Sequence, residues 1–194
     1  MNKPIQFPKA TELAHQLVGA HLKKRHCVID ATAGNGHDTL FLAEMVGNGG
    51  KVYAIDNQQA AIDSTRQRLG DSPFAQPVEY FCASHADLLE LVPTKKHGRV
   101  RAVMFNLGYL PGGNKSETTT WPTTLKAIRA ALQILNADGI ITIAIYPGHP
   151  AGKQESIALD KFVAQLDPTQ FRAIRYGVVN AANDPPYLLA IEKN

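Results

Sequence analysis

The residues of this 194-residue chain best suited to chemistry cluster at the ends of short apolar runs. In CVIDATAGNGHDT, from Cys27 to Thr39, Asp30 stands where an apolar run stops. Gly34 and Gly36 let the backbone turn sharply beneath a ligand, and Asp38 and Thr39 favour a helix start. Strand, sparse turn and helix start are the build of a nucleotide-type ligand site. Gly34 and Gly36 equally suit a plain strand-to-helix turn, and Asp30 a helix cap. Asp56 follows the run Val52 to Ile55 roughly 20 residues later, where a carboxylate accepts hydrogen bonds from the ribose hydroxyls of an adenosine group. Ser84 and His85 follow Val78 to Cys82. His85 there either meets an adenine edge or caps the next helix. Asn106 opens NLGYLPGGNK, which brings an amide, the ring of Tyr109 and the charge of Lys115 into one glycine-rich stretch. Tyr146, Pro147, Gly148 and His149 add a second ring and an imidazole whose ordinary titration range lies near working pH. A helix start rich in Pro and Gly is the other reading of that last segment.

The elements that must position these residues follow from hydrophobic pattern. Apolar runs at Cys27 to Ala31, Val52 to Ile55, Val78 to Cys82, Val100 to Phe105 and Ile140 to Ile145 read as strands. Between and after them lie helical patterns such as Leu125, Ile128, Leu132 and Leu135, or Leu159, Phe162, Val163 and Leu166. Ala10, Leu13, Leu17 and Ala20 predict an N-terminal helix against one side of the sheet. Such alternation predicts a mostly parallel sheet covered on both faces. Arg172 to Val179 and Tyr187 to Glu192 break the rhythm, because only NAANDPP lies between the two runs; strands joined so closely pair antiparallel. The expectation is one Rossmann-like α/β domain over residues 1–194, with a seven-stranded sheet ending in an antiparallel C-terminal hairpin. Leu107 to Thr120, rich in Gly, Pro, Asn and Thr after a strand end, reads as an active-site loop.

Through Asp30, Thr32, Gly34 and Gly36, the first segment resembles the acid-x-Gly-x-Gly-x-Gly signature of class I S-adenosylmethionine-dependent methyltransferases, Thr32 replacing the first glycine. Thr39 stands where a dinucleotide-binding loop has its third glycine. NLGYLPGGNK resembles the Asn-Pro-Pro-Tyr motif of amino-methylating enzymes, with Leu107 and Gly108 in place of the prolines. NDPPY at Asn183 to Tyr187 matches that motif letter for letter. It links the last two strands, so it is assigned mainly to the hairpin turn, on a side where loops also reach substrate. VIDATAGNGHDT, the SH pair, NLGYLPGGNK, YPGHP and the terminal PPYLLAIEK together are similar to the rRNA methylase family, which includes tRNA wobble-uridine methyltransferases.

That resemblance implies methyl transfer from S-adenosylmethionine to the amine of 5-aminomethyluridine in the tRNA anticodon arm. It implies a cofactor site formed by Asp30, Thr32, Gly34, Asn35, Gly36, Asp38, Thr39, Asp56, Asn57, Ser84, His85 and Asn106. Asn106, Tyr109 and His149 would carry the chemistry, and Leu107, Gly108, Tyr109, Lys115 and Tyr146 would meet the substrate. A nicotinamide-dependent oxidoreductase would share Gly34, Gly36 and Asp56 but lacks a reason for the terminal hairpin. A non-catalytic RNA-binding relative, an rRNA methyltransferase and one acting on a small-molecule amine are the other readings.

Bulk properties set wider bounds. The net charge of +3 and pI near 8.8 permit a polyanionic partner without requiring one. The N-terminus lacks the apolar core of a signal peptide, and no run approaches a membrane span of roughly 20 residues, so a cytoplasmic protein is expected. Seven scattered histidines show no metal-ligand spacing. Cys27 and Cys82 read as small core residues outside any CxxC pair. A compact domain gripping an anticodon arm also suits a homodimer.

Overall fold

The computed structural model of the chain describes residues 7–70, 72–108 and 119–194. Tyr109 and Lys115 therefore lie outside the described residues. The apolar runs form β1 (Cys27–Asp30), β2 (Lys51–Asp56), β3 (Val78–Cys82), β4 (Val100–Asn106), β5 (Leu135–Ile145), β6 (Phe171–Tyr176) and β7 (Tyr187–Lys193). The helices are α1 (Ala10–His21), α2 (His37–Val46), α3 (Gln59–Leu69), the single turn α4 (Leu88–Leu91), α5 (Trp121–Ile134) and α6 (Pro150–Val163).

Among the described residues the strands make one seven-stranded sheet in the order β3-β2-β1-β4-β5-β7-β6. β1 through β5 pair in parallel, and β7 lies antiparallel between β5 and β6. The hairpin expected at the C-terminus is present. The chain runs outward from β1 to β3 and then crosses to β4 on the other side of β1. The carboxyl ends of β1 and β4 thus flank the switch point, where open α/β sheets leave a crevice for ligands.

Alternate side chains of the central strands enter two cores. Ile29, Tyr53, Ile55, Val103 and Phe105 pack with Ala127, Ile128 and Ile134 of α5 and Leu159 and Val163 of α6. Val28, Val52, Ala102 and Met104 pack with Ala14 and Val18 of α1 and Leu42 and Val46 of α2. Each fully buried aliphatic side chain contributes roughly 1.5–3 kcal/mol of transfer free energy, so the strands are clamped from both sides and their carboxyl ends are fixed in space. Register does the rest. Asp30 pairs with Met104, and Asn106 extends β4 beyond that pair, level with the loop that leaves β1.

Several expectations shift. The buried stripe of α1 is Ala10, Ala14 and Val18, with Leu13 and Leu17 only partly covered and Ala20 exposed. The helix is rotated by about one position relative to the Ala10, Leu13, Leu17, Ala20 pattern. Leu135 is not helical but opens β5 opposite Val100. Asp138 then turns with φ 57° beside a register shift, before regular pairing resumes at Ile140. β6 stops at Tyr176, leaving Val178 and Val179 exposed. Cys27 is buried as expected. Cys82 is exposed, at the last position of the edge strand β3. No helix among the described residues is long and apolar enough to cross a membrane.

Candidate active site

A cavity of about 1050 Å³ opens at the carboxyl ends of β1, β2, β4 and β5, at the upper end of the roughly 300–1,000 Å³ of ligand pockets. Its wall includes Thr32, Gly34, Asn35, Asp38, Asp56, Asn57, Ser84, His85, Asn106, Leu107, Gly108, Tyr146 and His149, all singled out by the sequence. Asp30, Gly36 and Thr39 do not reach the cavity surface. They support it from behind.

Asp30 is 0% exposed. One carboxylate oxygen accepts from the Thr32 N–H at 3.2 Å and the other from the Thr39 hydroxyl at 2.6 Å. Burial pushes its carboxyl up to about 7, with the neighbouring charge of Asp38 adding to the rise and the Thr39 and Thr32 hydrogen bonds opposing it. Asp38 sits in the first turn of α2, where the helix N-terminus favours an anion. It is held from α1 by His15 Nε2 at 2.6 Å, and the His15 ring stacks on Phe41 at 4.1 Å. Nothing local in the sequence marks His15, because it acts across 23 positions of chain.

Gly36 is required for two reasons. Its φ is +77°, and a Cβ there would stand 2.8 Å from the Thr65 Cα of α3. Asp56 stitches the same turn to β2: one oxygen accepts from the Gly34 N–H at 2.9 Å and the other from the Gln58 N–H at 3.0 Å. A carboxylate has about four acceptor sites, so Asp56 keeps capacity toward the cavity. Ser84 Oγ accepts from the Ala86 N–H at 3.1 Å and caps the next turn. His85 stands edge-on to Phe105 with ring centroids 6.0 Å apart. Its Nε2 is buried with no hydrogen-bond partner among the described residues. Burial lowers its pKa, against the opposing pull of a hydrogen bond to the Ala31 backbone, so the ring is neutral and offers an edge to a ligand.

The other half of the cavity starts at Asn106, whose backbone N–H donates to Thr32 Oγ1 at 2.7 Å. The loops after β1 and β4 are thereby joined across the switch point, a bond that the glycine of the signature, which Thr32 replaces, could not make. Leu107 is 3% exposed and packs into the α5–α6 core, so it supplies cavity wall from a fixed place. Gly108, with φ +128°, donates its N–H to Thr119 Oγ1 at 3.0 Å, and its carbonyl accepts from the Thr119 N–H at 3.0 Å. Thr119 Oγ1 donates in turn to Glu155 Oε2 at 2.8 Å, and Thr124 Oγ1 donates to Glu155 Oε1 at 2.6 Å. Glu155, on α6, is 2% exposed. Burial raises its pKa, and the two threonine bonds and His149 pull it back.

His149 caps α6: its Nδ1 accepts from the Gly152 N–H at 3.1 Å. With Nδ1 accepting, the ring's N–H lies at Nε2, which suits donating rather than accepting. A Cβ at Gly152 would lie 2.2 Å from the Tyr146 carbonyl oxygen, so the small residue lets α6 close onto the β5 end. Burial raises the Tyr146 pKa, with the charge of Asp38 adding to the effect; its hydroxyl remains a donor. NDPPY does form the β6–β7 connection, yet Asp184 and Pro186 also line the cavity. Asp184 pairs with Lys153 at 3.3 Å. Sequence reasoning included Thr119 only as part of the Leu107 to Thr120 stretch, without a role of its own, and missed Glu155 altogether. No group of three or more His, Cys, Asp and Glu among the described residues could hold a metal ion.

A chloroplastic tRNA (mnm(5)s(2)U34)-methyltransferase of Arabidopsis thaliana is 42% identical over 180 residues, 89% of this chain. The chain spans 65% of that relative's length. A crystal structure described as a "putative rRNA-methylase" from Clostridium thermocellum superposes with a TM-score of 0.93 at 36% identity, covering 98% of this chain and 100% of the other. SMU.1697c, described as a "putative methyltransferase" from Streptococcus mutans and solved with SAH, gives 0.87 at 35% identity, covering 97% and 100%. The sheet order, the terminal hairpin and these neighbours together make the fold that of the Rossmann-like class I methyltransferases. Residues 52–192 match the model of the family described as "Putative rRNA methylase", and the chain belongs to that family.

Proposed function

We propose that the chain is an S-adenosylmethionine-dependent methyltransferase whose acceptor is the amine of 5-aminomethyluridine at the wobble position of tRNA. The observation that carries this reading is the convergence of Asp56 and Asn106, from strands on opposite sides of β1, on one cavity. The named activity of the Arabidopsis relative supports the acceptor, and the SAH in the Streptococcus mutans structure supports the donor.

The wall fits an adenosine-bearing donor on this chain's own features. Asp56 retains acceptor sites for ribose hydroxyls, and the buried, unpartnered Nε2 of His85 suits a polar edge such as adenine's. The described lining contains Asp38, Asp56 and Asp184 but no Lys or Arg, a field that draws a cationic donor and an alkylammonium acceptor. Bound S-adenosylmethionine supplies a methyl group on a positively charged sulfur.

An alkylammonium has no lone pair, so an amine drawn in as the cation must release its proton to water before its nitrogen reacts. The Asn106 side-chain oxygen and the carbonyl of Leu107 are neutral acceptors that hold the nitrogen without favouring its protonated form. Such positioning converts a bimolecular displacement into an effectively unimolecular one. Tyr146 offers a ring to stack on the uracil, and His149 offers an N–H. The anticodon arm is the part of tRNA we assign to this cavity, and a homodimer is the assembly we expect to grip it; light scattering of the purified chain tests the dimer.

The test of activity uses methyl-labelled S-adenosylmethionine with tRNA carrying 5-aminomethyluridine, with rRNA, and with a pool of small amines. Nucleoside mass spectrometry should find label in 5-methylaminomethyluridine alone. Label in rRNA or a small amine, with none in tRNA, would overturn the reading.

A further inference from the structure

Glu155 is a buried carboxyl that the chemistry above does not use. It lies on the inner side of α6 at 2% exposure, and no lysine or arginine pairs with it among the described residues. Burying such a group costs free energy, and an apolar side chain of the same volume commonly serves stability as well or better. What a carboxylate adds is direction. Its two oxygens accept hydrogen bonds from the hydroxyls of Thr119 and Thr124, which commits the Thr119 oxygen to accept the Gly108 N–H. The chain of bonds runs from α6 to a backbone position two residues beyond Asn106, at the cavity wall.

We propose that Glu155 is a positioning residue for the acceptor half of the site, acting through Thr119 to fix Gly108 and the carbonyls that follow Asn106. This rests on the methyltransferase reading. The bond sequence Glu155–Thr119–Gly108 ties two residues of the cavity wall, Gly108 and Thr119, to α6, and the same two residues also share the Thr119 N–H to Gly108 carbonyl bond. Thr124, on α5, holds the second carboxylate oxygen and so keeps the first aimed at Thr119. The donor half shares none of these bonds; its loop is held by Asp30, Asp56 and Thr65.

Thr119→Val keeps the side chain's shape and removes its hydroxyl, Thr119→Ser keeps the hydroxyl, and Glu155→Gln keeps the volume. For each, amide hydrogen exchange is followed at Gly108, SAH affinity by calorimetry, and kcat and KM on 5-aminomethyluridine tRNA. Thr119→Val should exchange at least tenfold faster at Gly108 and lose at least tenfold in kcat while SAH affinity stays within twofold, and Thr119→Ser should restore both. Glu155→Gln should fall between them. Unchanged exchange in Thr119→Val and Glu155→Gln overturns the clamp, and faster exchange with wild-type turnover overturns the positioning role. A wild-type chain that binds SAH yet methylates no tRNA sinks the methyltransferase reading, while the exchange measurements still decide the clamp.

Discussion

Replacing Asp30 with Asn should change how stability depends on pH more than it changes stability itself. In the folded chain Asp30 is fully buried, and burial together with the nearby charge of Asp38 lifts its carboxyl from 3.8 to about 7. Between those values the folded chain keeps a proton that the unfolded chain has released. Stability therefore falls as pH rises through that window. Each pH unit is worth about 1.4 kcal/mol, so wild type should lose on the order of 3 kcal/mol from this group between pH 5 and pH 7, and little more above that. Asn does not titrate and should lose none of it. The substitution also costs about 1 kcal/mol at every pH, because one oxygen that accepts from Thr39 or Thr32 becomes an amide nitrogen. Urea unfolding of both proteins at pH 5, 6, 7 and 8 measures the difference, in which contributions from groups remote from Asp30 cancel. Between pH 5 and pH 8 the stability difference should move by about 3 kcal/mol in favour of Asp30→Asn. Parallel profiles would show that folded Asp30 does not keep a proton that the unfolded chain releases.

Three further outcomes follow from the same geometry. Gly36→Ala should lower unfolding free energy by roughly 2–5 kcal/mol, from a left-handed backbone that alanine resists and a Cβ 2.8 Å from Thr65 Cα; a loss below 1 kcal/mol in chemical denaturation would show that α2 and α3 part freely. Asp56→Ala should weaken SAH binding by roughly 10- to 100-fold in calorimetry, the worth of hydrogen bonds to a charged acceptor, and unchanged affinity would remove Asp56 from the ribose. Asn106→Ala should cut turnover by about 10²-fold with SAH affinity within twofold, because the bond to Thr32 uses the Asn106 backbone and survives; wild-type turnover would take Asn106 out of the mechanism.

Much of this architecture could be read from residues close in sequence. Runs such as Val100 to Phe105 announce buried strands because a parallel strand covered on both faces needs apolar residues on both, and the short connection before Tyr187 leaves only an antiparallel hairpin. The turn at Gly34 and Gly36 and the carboxylate at Asp56 were legible for the same reason: local backbone geometry demands them. Contacts made over long separations were not. His15 reaches Asp38 across 23 positions, and Glu155 reaches Thr119 across 36 and Thr124 across 31. In sequence each is one polar residue on an amphipathic helix. Cys82 failed differently: an apolar run gives no sign of whether its strand will be central or at an edge.

The paired bonds between Gly108 and Thr119 set how this family member can diversify. Both bonds use the backbone of Gly108, and the anchor beyond them is Glu155, so the sequence at positions 109–118 is free to vary without changing either partner or the bonds that hold the turn after β1. Position 32 has no such freedom, because its hydroxyl serves both halves at once.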